Sequence, residues 1–313
     1  MLNRRHLRIK VMQSVYALLQ SNSDDIVKEE KFLNYSIYKI YDLYVLQLSL
    51  MVEVRNLAEK HQEIAKKKYL ATSEDKNPNR KFIDHPFLLG LKNNESLKEY
   101  ISTQKLKNWK EDSEYVRLIW DAIRESDIYV DFIKNSQSDS PKGDLNFISE
   151  LYKKVIAPND KLFDYYESQL ITWVDDIPFV NTWIIKNLKK INVNTRFDKN
   201  SIYKDYEDKE FVVDLFKKTV LHHHEFNEDI DAKTPNWDTD RIAEVDFILM
   251  KMALTELKYF PSIPTRVTIN EYIEIAKDYS TTKSSFFING VLDKLLKEYT
   301  AANKIKKIGR GLV

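Results

Sequence analysis

The sequence predicts an all-α protein, a helical bundle with an inserted helical subdomain, and three observations carry that prediction. Apolar residues recur at three- and four-residue spacing along most of the 313 residues. Glycine is scarce, with five in the chain, while Leu, Lys, Glu and Ile are abundant, a balance that favours helix over sheet. Pro78, Pro86, Pro261 and Pro264 fall between the periodic segments, where breakers belong.

Taken in order, Leu7, Val11, Val15 and Leu18 share one face of a first helix, widened by Met12 and Leu19. Leu33, Ile37, Tyr41, Tyr44, Leu48 and Met51 continue the helical period through a long stretch over 26–70. A polar region containing Pro78 and Pro86 ends it. The period resumes over 111–134 through Tyr115, Leu118, Ile119, Ala122, Ile123 and Tyr129. "NSQSDSPKGD" (135–144) reads as a linker. Helices are expected near 145–156, 160–175 and 178–191, the last with Pro178 in its first turn. After a loop at 192–201, Phe211, Leu215 and Thr219 mark one helix and Ile242, Val245, Leu249, Met252 and Ala253 another. "TINE" (Thr268 to Glu271) reads as a capping box, with Asn270 and Glu271 serving the start of a helix through Ile273, Ala276 and Tyr279. The final helix is expected over 285–299. Asn289-Gly290 alone is a hairpin signal, but Phe287, Val291 and Leu295 form one helical stripe, so helix wins. A mid-helix glycine costs about 1 kcal/mol relative to alanine. Close approach by a neighbour or ligand is the expected reason to keep Gly290.

Composition removes whole classes of function. The chain holds 49 basic and 48 acidic side chains, so nucleic-acid binding has to come from local patches. Two patches exist: Arg4, Arg5, Arg8 and Lys10 at the start, and Lys304, Lys306, Lys307 and Arg310 in a tail over 301–313 that is expected to be flexible. The absence of cysteine excludes disulfides, thiolate metal sites and cysteine nucleophiles. No glycine-rich phosphate loop or dinucleotide fingerprint is present. The adjacent histidines of "HHHE" (His222 to Glu225) turn by about 100° per residue on a helix and cannot converge on one ion. No catalytic residues, metal site or cofactor are expected, and the chain reads as a non-enzyme. It carries no signal-peptide core and no membrane-spanning run, which reads as a soluble cytoplasmic protein.

The first basic patch poses a question. Guanidinium groups are unfavourable at the positive end of a helix unless an anion joins them. No acidic residue precedes Asp24, so an anion from outside the segment would change that balance, and the segment alone leaves its identity open.

The segment "RVTINEYIEIAKDYSTTKSSFFINGVLDKL" resembles the C-terminal signature of the bacterial transcription antitermination factor NusB family. "DFILMKMALTEL" is similar to the family's preceding helix, and "RRHLRIKVMQSVYALLQ" to its arginine-rich first helix. The resemblance covers about 1–24 and 205–300, separated by a helical insertion, 25–204, of unassigned role. It implies an all-helical RNA-binding protein that takes boxA-like single-stranded RNA together with NusE, a small-subunit ribosomal protein. Through that pair it would act indirectly on the transcription elongation complex to promote read-through of ribosomal RNA operons. It implies an RNA face of Arg4, Arg5, Arg8, Lys283, Ser284, Phe286 and Phe287, with Asn289 as a further candidate. It also places Asp246, Lys251 and Glu256 at the NusE contact. Lys251 stands where the family commonly has arginine, and Phe286 where a polar or basic residue is usual. Spacing puts Phe287 inward and leaves Phe286 exposed for stacking on a base. The competing reading is a NusB-like helical module for protein interaction that binds no RNA of its own.

Overall fold

The computed structural model describes residues 1–21, 25–134, 141–234 and 243–312, and its regular structure among those residues is helical throughout. The helices are α1 (Arg4–Gln20), α2 (Ile26–Lys66), α3 (Ser73–Lys76), α4 (Pro86–Lys92), α5 (Glu95–Thr103), α6 (Asn108–Glu111), α7 (Ser113–Glu125) and α8 (Asp127–Lys134). They continue with α9 (Pro141–Leu151), α10 (Asp160–Gln169), α11 (Ile177–Asn187), α12 (Tyr206–Leu221), α13 (His223–Asp231), α14 (Glu244–Tyr259), α15 (Thr265–Tyr279) and α16 (Ser284–Ala301). The chain divides into two compact units, one of Met1–Ile37 with Ile202–Val313 and the other of Tyr38–Ser201. The division falls inside α2, not at residues 24–25, because one uninterrupted helical period carries the chain from the first unit into the second.

The first unit is built around α14. Every residue from Ile248 to Leu257 is buried, so this helix is enclosed on all sides rather than along one stripe. α1, α12, α13, α15 and α16 pack against it, and α1 also packs on α12 and α15. Leu7, Val11, Met12, Val15 and Leu18 supply the buried face of α1. Each such side chain contributes about 1.5–3 kcal/mol on burial. Asn3 caps α1 by accepting from the His6 amide, and Asp205 caps α12 by accepting from the Asp208 amide.

Two expectations fail in this unit. The "TINE" capping box is absent, because Pro264 starts α15 one turn earlier with an extended backbone. Thr268 thus lies within the helix, where its hydroxyl donates to Glu256 at 2.7 Å, and Glu271 is drawn to Arg5 instead of a backbone amide. The basic tail is docked rather than loose. Lys307 donates to the Phe260 carbonyl at 2.9 Å and the Glu256 carbonyl at 3.3 Å, a second donor on carbonyls that also accept from the Ile263 and Phe260 amides. The Ile308 amide donates to the Pro261 carbonyl, and Gly311 lies so close that a Cβ there would meet that oxygen at 2.0 Å.

The second unit packs short helices and aromatic rings around the remainder of α2, whose residues Ile40 to Met51 are all buried. Tyr44 stacks on Trp183 with ring centres 4.3 Å apart, and Phe132 stacks on Phe147 at 3.7 Å. The Trp109 indole donates to the Leu46 carbonyl and the Trp173 indole to the Lys39 carbonyl. Helices this short are marginal alone, so tertiary packing holds them. The predicted helix over 111–134 is two helices, divided at Ser126, whose backbone is extended. Of the predicted linker, residues 135–140 lie outside the described residues, and Pro141 to Asp144 form the first turn of α9.

Candidate nucleic-acid interface

The arginines at the start of α1 all meet carboxylates from other helices. Arg4 donates to Asp208 at 2.8 Å and lies 3.9 Å from Glu207, both on α12. Arg5 makes a two-pronged pair with Glu271 of α15, at 3.0 and 2.8 Å, with Glu274 at 3.9 Å. Arg8 makes a similar fork with Glu256 of α14, at 2.9 and 2.8 Å. That last pair is sealed, with Arg8 2% and Glu256 0% exposed. Glu256 also accepts from Thr268 and, at 3.3 Å, from Tyr272. Burial opposes the Arg8 charge, yet Glu256 beside it holds the guanidinium firmly ionised. The Arg5 fork keeps the Glu271 carboxyl below its ordinary value against partial burial, with Arg8 adding to the effect.

Three guanidinium groups therefore face five carboxylates. The anion missing from the first segment is supplied by the protein itself, from chain more than 200 residues away. Arg8 is removed from the RNA candidates because it is enclosed and committed. Arg4 and Arg5 stay half-exposed, beside an open groove of about 620 Å³ that Asn3, Pro264 and Val267 also line.

At the start of α16 the predicted residues separate. Lys283 is exposed at the cap position, and Phe286 is 80% exposed on the first turn. Phe287 is half-buried, while Ile288, Val291, Leu292 and Leu295 are fully turned into the core. Asn289 and Gly290 are exposed one turn beyond Phe286. A Cβ on Gly290 would meet nothing within 4 Å, so no neighbouring segment of the protein accounts for the glycine, and that face is open. Ser284 is a correction: it is buried, and its hydroxyl is tied to Ser280 and Thr281 at 2.9 and 2.8 Å, which fixes the turn before the helix.

The predicted partner residues on α14 are also corrected. Asp246, Lys251 and Glu256 are 3%, 7% and 0% exposed, so none offers a surface to another protein. That placement came from the family resemblance alone, and in this chain α14 is surrounded by other helices. Burial lowers the ammonium pKa of Lys251, and Glu256 is the counter-ion of Arg8. The signal for that role was in the sequence: an acidic residue inside an apolar run needs a buried cation. Elsewhere His222 stacks on Tyr259 and approaches Glu225 at 3.3 Å, and no metal-binding group of three acidic or histidine side chains occurs among the described residues. No helix among them is long and apolar enough to cross a membrane.

The NusB family profile matches residues 179–297. The transcription antitermination protein NusB of Salinibacter ruber is 40% identical over 109 residues, which is 35% of this chain and 68% of that protein. This chain belongs to the NusB family. Similar matches reach the NusB proteins of Chloroherpeton thalassium, at 38% over 109 residues and 52% of its length, and Clostridium botulinum, at 37% over 116 residues and 81% of its length. No solved structure matches the chain. The NusB profile spans α12 to α16 and reaches back into α11, while α1 lies outside it and joins the NusB-like unit through its packing on α12, α14 and α15.

Proposed function

We propose that this NusB family protein is an RNA-binding transcription antitermination factor that takes boxA-like single-stranded RNA with NusE and promotes read-through of ribosomal RNA operons. The observation that carries the reading is Phe286, an aromatic ring left 80% exposed on the first turn of α16 beside the exposed Lys283. An open ring next to an ammonium group is the pairing that single-stranded RNA uses, base on ring and phosphate on cation. Asn289 and the uncovered Gly290 extend the face along the helix, and Gly290 leaves room for a strand to come close. Arg4 and Arg5 join as secondary contacts, because phosphate has to compete with carboxylates already in place. NusE would have to meet a surface other than the buried charges of α14.

The neutralised arginines favour a second reading, in which the NusB-like unit binds only protein. Titrating labelled boxA-like and scrambled RNA, with and without NusE, separates the two. Binding of boxA-like RNA that tightens with NusE supports the first reading, and no RNA binding under either condition supports the second.

A further inference from the structure

We propose that the second unit carries a docking groove for an acidic amphipathic peptide segment of a partner protein. The groove has a volume of about 570 Å³ and lies between α2, the end of α4, α5 and the turn into α6. Its floor is aliphatic, made by Val52, Leu91, Leu97, Ile101 and Leu106. Its lining holds five lysines, Lys92, Lys98, Lys105, Lys107 and Lys110, against one carboxylate, Glu53. Two of the lysines are matched within the unit, Lys92 by Glu59 at 3.3 Å and Lys98 by Glu95 at 2.7 Å. Lys105, Lys107 and Lys110 are exposed and have no ion-pair partner among the described residues. Lys105 and Lys107 lie in the turn after α5 and Lys110 in α6, and together they give the lining an excess of positive charge.

The turn shows how the charges are held there. The Lys105 amide donates to the Ser102 carbonyl and the Leu106 amide to the Ile101 carbonyl, which closes α5. Lys105 takes a left-handed backbone with φ +55°, at the position where helices most often place glycine. The same closure ties the Leu106 backbone to Ile101, and both residues line the groove.

The lining selects the ligand class. An apolar floor with a cationic rim complements a segment that sets aliphatic side chains on one face and carboxylates beside them. Single-stranded nucleic acid fits less well, since no aromatic ring lines the groove to stack a base and no arginine offers a phosphate fork. The proposal is independent of RNA binding by the NusB-like unit.

The test uses the full chain and a labelled peptide carrying leucine at heptad a and d positions and glutamate elsewhere. A twin peptide with lysine for glutamate and a labelled oligouridylate serve as controls. The glutamate peptide should bind, with affinity falling as salt rises, and the lysine peptide should not. Reversing the three exposed charges together (Lys105→Glu, Lys107→Glu, Lys110→Glu) should weaken it about tenfold or more. Leu106→Ala should weaken it with the salt dependence kept, and Phe286→Ala should leave it unchanged. Thermal melts of each variant establish that the fold persists. Failure of the glutamate peptide to bind, binding that survives the charge reversal, or charge-reversal-sensitive oligouridylate binding that the peptide does not compete for would each overturn the proposal.

Discussion

Arg8 and Glu256 form a closed, two-pronged ion pair, at 2.9 and 2.8 Å, that ties α1 to the central helix α14 across 248 residues of sequence. Neither side chain reaches solvent, and Thr268 and Tyr272 supply further hydrogen bonds to the same carboxylate. Removing one partner strands a buried charge, which typically costs about 3–5 kcal/mol. Arg8→Ala should therefore lower the stability of the NusB-like unit by that amount in urea unfolding. A loss below about 1 kcal/mol would mean that the pair is open to water.

Arg4 and Arg5 carry a different expectation. A free cation that neutralises one phosphate of a single strand contributes about 0.7 to the slope of log affinity against log salt. Both arginines already hold carboxylates at 2.8 Å, so phosphate would replace a partner instead of condensed counterions alone. Arg4→Ala with Arg5→Ala should flatten the RNA salt slope by less than about 0.7 per charge removed. A full change of that size would show that the internal pairs dissolve on binding.

The fold was legible where a helix buries one face and leaves the other in solvent. The last helix, expected over 285–299, is Ser284–Ala301, and the apolar stripe through Val291 and Leu295 places Phe286 outside. The tetrad from Thr268 to Glu271 was misread because a local cap and a long-range contact use the same residue types. Only the tertiary position of Glu256 and Arg5 decides between them. The charges of α14 were placed by resemblance, and periodicity gave no check on them, since it cannot tell a half-buried helix from one enclosed by its neighbours. Tail docking rests on the Lys307 ammonium meeting the carbonyl end of α14, and on the contact of Gly311 with Pro261, neither of which has a local pattern.

That docked tail predicts an unusual titration. Burial lowers the Lys307 ammonium from its ordinary 10.5 to about 8, with Glu256 pulling weakly the other way. Between those values the docked state binds fewer protons than the released one, so docking should strengthen as pH rises through about 8 toward 10.5. An NMR titration of the Lys307 side chain should show a midpoint near 8. In Gly311→Ala, whose Cβ would strike Pro261, the midpoint should return to the ordinary lysine range. An ordinary midpoint in the wild type would contradict a docked tail.

The second unit has an acid-sensitive pair of its own. Arg55 donates to both oxygens of Glu59, and with Arg80 and Lys92 it lowers that carboxyl from 4.5 to about 2. A depressed carboxylate adds stability that is complete above 4.5 and is lost as pH falls toward 2. Glu59→Gln should be less stable than wild type at neutral pH, and the gap in unfolding midpoint should close as pH drops through that window. A gap that stays constant with pH would assign the effect to packing.

The most direct test of RNA binding by the NusB-like unit is one titration of labelled boxA-like RNA against wild type and Phe286→Ala at several salt concentrations. A ring that stacks a base contributes about 1–3 kcal/mol, so the variant should bind more weakly by that amount while the salt slope stays the same. Circular dichroism should show an unchanged fold, because the ring is 80% exposed and supports no core contact. Equal affinity of the two proteins for the RNA, or no binding by either with NusE present, would contradict the account.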